Sequence, residues 1–149
     1  MTAAAGLADR LSELLMLAHP PVAVSLRKDT PSADAEAVAT QPAGCCYWAP
    51  AQKGRLHTKP SDHANCSVGS YTHGLIDLEA AAAADDTAAL LGSGWVGESD
   101  LANAPHLPFR PQIICYEPLA EANQMDVVLL HLSPSALMTL QGLAPRLSW

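Results

Sequence analysis

Asp126-Val-Val-Leu-Leu-His-Leu-Ser-Pro-Ser-Ala-Leu-Met-Thr-Leu-Gln-Gly142 holds a strand and a helix back to back. The apolar run from Asp126 to Leu132 reads as a strand, and its lack of polar alternation predicts burial on both faces. Ser133-Pro134 then supplies an N-cap followed by proline at the first helical position, where a missing N–H is no loss. Ala136 to Leu140 carries the helix on and Gly142 stops it.

Toward the N-terminus, Ile113 to Tyr116 reads as a second strand and the alternating Val22 to Leu26 as a third. Arg55 to Thr58 is a short strand candidate before Pro60. Leu7, Leu11, Leu14, Leu15 and Ala18 recur at helical spacing until His19-Pro20-Pro21 closes the helix. Gly44 to Lys53 predicts a helix ended by Gly54, and Ser61 or Asp62 caps another that runs to about His73. Asp77 to Leu91, an Asp cap followed by an alanine run and Gly92, predicts one long helix. Asp29 to Ala43 and Ser93 to Pro111 read as loops. The order predicts one α+β domain over residues 1–149, with a mixed β-sheet and helices mainly on one face.

Composition limits what such a domain can do. Apolar residues make up 49% of the 149 and aromatics 5%, so the core must be built largely from Leu, Val, Ile and Ala. No run of eighteen uncharged apolar residues appears, which argues against a membrane span. The net charge of −7 and the thin scatter of Lys and Arg argue against nucleic acid. The N-terminus has neither a basic region nor a continuous apolar stretch, so no secretory signal is read and the cytoplasm is expected. There thiols stay reduced, and Cys45, Cys46, Cys66 and Cys115 are free thiols or ligands before they are bridges.

Chemistry concentrates between Gly44 and Gly74, which contain Cys45, Cys46, Cys66, His57, His63 and His73. Thiolate and imidazole are the usual ligands of zinc, copper, iron–sulfur and haem centres. If the segment from Asp62 is one helix, His63, Cys66 and His73 share a face, turned toward Cys45 and Cys46. These five are the candidate metal ligands. Tyr47, Trp48, Gly69 and Tyr71 are candidate cofactor contacts, the aromatics shielding the centre or stacking on a planar group. The spacing is not a paired CxxC zinc motif, and buried thiols also serve as small apolar side chains. Cys115 fits that bland role in its strand, and His131 reads as a half-buried core histidine. No Gly-rich phosphate loop and no carboxylate pair stands near the cysteines.

Pro21-Val-Ala-Val-Ser-Leu26, Cys45-Cys-Tyr-Trp-Ala-Pro-Ala-Gln-Lys-Gly54, Asp62-His-Ala-Asn-Cys-Ser-Val-Gly69, Tyr116-Glu-Pro-Leu119 and Ser133-Pro-Ser-Ala-Leu-Met138 together resemble the domain of unknown function 169 family. The resemblance implies paired cysteine positions at Cys45 (or Cys46) and Cys66, with Gly69 behind Cys66, and it implies no settled activity. Members are usually longer, so this chain is expected to match the family's N-terminal part.

These readings favour a small cytoplasmic protein that binds a metal ion, iron–sulfur cluster or haem, in a redox or accessory role. A thiol-dependent enzyme on a small molecule, with Cys66 as nucleophile and His63 or His57 as base, is the alternative; a structural partner whose cysteines only fill the core is a third. Val127–Leu132 and Trp149 need cover, which predicts a homo-oligomer.

Overall fold

The computed structural model describes residues 3–28, 36–37 and 44–143. Five strands form one mixed sheet in the order β2-β3-β4-β1-β5, built from β1 (Val22–Arg27), β2 (Glu36–Ala37), β3 (Leu56–Thr58), β4 (Ile113–Pro118) and β5 (Val127–Leu129). β2 and β3 run parallel while β1 and β5 run antiparallel, with Ala23 opposite Val128. With seven α-helices beside this sheet among the described residues, the class is α+β. No helix among them is long and apolar enough to cross a membrane.

Contacts divide the chain into two compact units, each made of separated segments. The first comprises residues 1–25, 48–55 and 116–149. Here α1 (Ala3–Leu15) turns Ala4 and Ala8 onto Ala23, Leu119 and Ala122, with Leu11, Met125 and Val128 packed around them. Small alanines let the helix approach the strand closely, which is how an alanine-rich chain builds a core. The helix stops at Leu15, short of the expected Ala18, because Met16 turns left-handed (φ 47°) and the Leu17 N–H reaches back to Ser12 O. α7 (Pro134–Leu143) starts as expected, with the Ser133 hydroxyl accepting the Ala136 N–H.

β5 departs from the sequence reading. It covers only Val127–Leu129, and Val127 and Leu129 are 45% and 38% exposed, not buried on both faces. Only one face of β5 is covered: Val128 packs on the α1 cluster, while Val127 and Leu129 alternate onto the other face and stay open to solvent. Trp149, the other residue expected to need cover, lies outside the described residues.

The second unit comprises residues 26–47 and 56–115. Its helical core is Tyr71, Ala81 and Leu101, with Val68, Ile76, Leu91 and Ala104 around them. The single helix expected over Asp77–Leu91 is two, α4 (Leu78–Ala82) and α5 (Asp85–Gly92), with Ala84 extended between them. Asp77 caps the first as predicted, accepting the Ala80 N–H. The break lets the Asp86 carboxylate accept the Ser67 N–H at 2.8 Å, a tertiary bond that alanine propensity cannot anticipate. The region read as loop contains α6 (Glu98–Ala102), whose start is held by Asp100 accepting the Gly97 N–H.

Candidate functional site

The 60–73 segment is not one helix. A 3-10 turn over Pro60–His63 is followed by a break, and α3 (Ser67–Thr72) begins afresh. Asp62, expected as a helix cap, instead accepts the Lys59 N–H and closes the 3-10 turn. The cap of α3 is Cys66: its backbone is extended, its N–H bonds His63 O, and its Sγ accepts the Gly69 N–H at 3.3 Å. A side chain at residue 69 would crowd that sulfur, since a Cβ there falls 3.0 Å from Cys66 Sγ. His63 and Cys66 therefore do not share a helix face; the turn preceding α3 carries one and its cap the other.

His63 is the most confined polar side chain of the group, at 1% exposure. The Tyr47 ring lies beside it, centroids 5.1 Å apart, and the Tyr47 hydroxyl donates to Asp62 O. The Ser70 hydroxyl donates to His63 O, which ties α3 to the turn. On the ring, Nε2 meets the Thr58 hydroxyl at 2.9 Å, and that hydroxyl donates its one proton to Ile114 O. Thr58 therefore accepts from His63, Nε2 carries the proton, and Nδ1 is left as a lone pair. Among the described residues, no group bonds that nitrogen.

His73 stands next to it, ring centroids 5.5 Å apart. Its Nδ1 is 2.7 Å from Gly69 O and must donate to that carbonyl, which leaves Nε2 as the free lone pair of the neutral ring. Burial, and then His73 beside it, push His63 down to about 4, partly offset by Asp62, so His63 is neutral near pH 7.

The thiols lie in the same unit. The 3-10 turn Gly44–Tyr47 carries an exposed Cys45 and a half-buried Cys46. Desolvation first, then Cys46 and then Cys66, push the Cys45 thiol up, so it is protonated near neutral pH and is a poor nucleophile as it stands. Cys45, Cys46, Cys66 and Cys115 are all unbridged. Cys115 is half-buried in β4. Among the described residues, no three His, Cys, Asp or Glu side chains are arranged to hold one metal ion.

The aromatic candidates divide. Tyr47 faces His63, as above. Tyr71 is buried with its ring stacked on His106 and its hydroxyl 3.3 Å from His106 Nδ1. Trp48 belongs to the first unit, where its ring meets His19 and His131. Two residues escaped the sequence reading. Thr58, which sets the His63 tautomer, looked like an ordinary strand residue, and its pairing across a tight turn leaves no periodic signal. His131, read as half-buried in a strand, is exposed beyond the end of β5.

An α+β chain that carries Cys45 and Cys46 on one 3-10 turn, His63 on a second, and Cys66 and His73 at the two ends of α3 defines a cysteine- and histidine-bearing class. A family model matches residues 10–144, and the chain belongs to that family, DUF169, described as uncharacterised ArCR. No curated protein and no solved structure matches.

Proposed function

We propose that this protein is a small cytoplasmic metal- or cofactor-binding protein whose ligands are drawn from Cys45, Cys46, Cys66, His63 and His73, with a redox or accessory role. The observation that carries the reading is the Nδ1 lone pair of His63, buried and without a partner among the described residues. An unsatisfied buried acceptor is expensive to keep, and a bound cation satisfies it. His73 offers a second lone pair beside it, and the neutral state of both rings is the one that ligates.

Because no three ligands are pre-arranged, binding draws the thiols in around the ion. A cation also offsets the repulsion from Cys46 and Cys66 that opposes a thiolate at Cys45. The set suits zinc, copper or iron, alone or as an iron–sulfur or haem group. The same reading has a homo-oligomer acting on or holding a small-molecule or metal centre, with no nucleic-acid or membrane partner.

Elemental analysis and an absorption spectrum of protein purified without oxygen test it. The expected result is a stoichiometric metal or a chromophore that Cys66→Ser loses. Protein that carries neither, or a Cys66→Ser protein with a full load, contradicts it.

A further inference from the structure

Three segments far apart in the chain bring aromatic rings together in the first unit. His19 lies in the turn after α1, Trp48 opens α2 (Trp48–Ala51), and His131 follows β5. The His19 and His131 centroids are 4.9 Å apart, and Trp48 stacks on His131 at 5.0 Å and meets His19 edge-on at 5.9 Å. His19 precedes two prolines, whose fixed φ holds its backbone in place.

Two imidazoles bound to one tetrahedral ion, with metal–nitrogen bonds of about 2.0–2.1 Å, have ring centroids roughly 5 Å apart. The 4.9 Å separation matches that value. Both histidines reach solvent, so an ion has an entry path and room for water as its remaining ligands. A salt-bridged or hydrogen-bonded histidine would have its nitrogens engaged. Among the described residues, no hydrogen bond engages the ring nitrogens of His19 or His131.

We propose that His19 and His131 form a two-imidazole site for a divalent transition-metal ion of the nickel, copper or zinc type, with Trp48 as a positioning residue that holds the His131 ring. The site shares no metal ligand with the Cys45, Cys66 and His63 reading. Imidazole suits these ions, and affinity rises toward copper along the divalent series.

Nickel is the probe, because it quenches nearby indole fluorescence and leaves thiols unoxidised. The titration uses protein of the full sequence carrying Trp95→Phe and Trp149→Phe, so that Trp48 is its one indole and is excited selectively over the tyrosines. The expected result is saturable quenching, weakened at least tenfold by His19→Ala and by His131→Gln, with an unchanged far-ultraviolet circular dichroism spectrum. Trp48→Phe in the natural background keeps nickel binding, whereas Trp48→Ala weakens it several-fold. In proton NMR of the natural-sequence protein, the His19 and His131 ring resonances broaden at the lowest nickel additions. Quenching that survives either histidine substitution, or broadening that spreads equally to His57 and His106, overturns the proposal and leaves an aromatic clasp. His131→Gln replaces an exposed side chain, so a folding defect does not obscure the outcome.

Discussion

His63 donates its Nε2 proton to the Thr58 hydroxyl 2.9 Å away, and that one bond decides which face of the ring is chemically available. Thr58 passes its own proton to Ile114 O, so the direction of the relay is set by a strand carbonyl. The lone pair on Nδ1 is thus built in by β3 and β4, elements that contribute no ligand themselves.

The first prediction follows from burial of the neutral ring. His63 is pushed down to about 4 in the folded protein, whereas an unfolded histidine titrates near about 6.5. Between those values the unfolded chain binds a proton that the folded one refuses, so stability falls as pH drops through the window. The loss attributable to His63 is on the order of 3 kcal/mol once below the folded value. Urea unfolding of chelator-treated protein across this window should show a slope that His63→Gln removes. Equal slopes in both proteins would mean that His63 is not held neutral by its surroundings.

Cys66 has two separable jobs, and two substitutions part them. As helix cap its Sγ accepts the Gly69 N–H. A serine hydroxyl accepts the same bond, so Cys66→Ser should stay within about 0.5 kcal/mol of the natural protein, while Cys66→Ala loses about 1 kcal/mol. Both should lose bound metal, because neither offers a thiolate. Chemical denaturation and metal analysis on the same preparations check this; a large stability loss in Cys66→Ser contradicts the capping assignment.

Gly74 is required by its backbone. It is left-handed at φ 67°, and an added Cβ would fall 2.5 Å from Phe109 O and 3.1 Å from Leu107 O. Gly74→Ala should cost roughly 2–3 kcal/mol, since both the backbone conformation and the neighbouring carbonyls oppose it. Thermal unfolding measures the loss, and a change within about 0.5 kcal/mol would show that the close approach is absent in solution.

What the sequence disclosed tracks how local each determinant is. Val22–Leu26 and the Ser133-Pro134 helix start are legible because their signals, alternation and capping chemistry, lie within a few residues. The division of Asp77–Leu91 into two helices was not, because the Asp86 carboxylate is held by the Ser67 N–H from another part of the chain. The same bond helps set the start of α3 and so separates His63 from Cys66, which helical spacing had placed on one face. Exposure of Val127 and Leu129 depends on which face of β5 the α1 cluster covers, which an apolar run cannot reveal. At the site, the cysteine and histidine concentration was visible in the chain. Which imidazole nitrogen is free depends on Thr58 and Ile114, and no spacing rule connects those to His63.

The most direct test is the imidazole nitrogen spectrum of His63, recorded by proton–nitrogen correlation NMR on metal-free protein and again with zinc added. The account predicts a neutral ring protonated at Nε2, with a bare Nδ1 whose resonance moves when zinc binds. A ring protonated at Nδ1, or an Nδ1 resonance that zinc leaves in place, would contradict it.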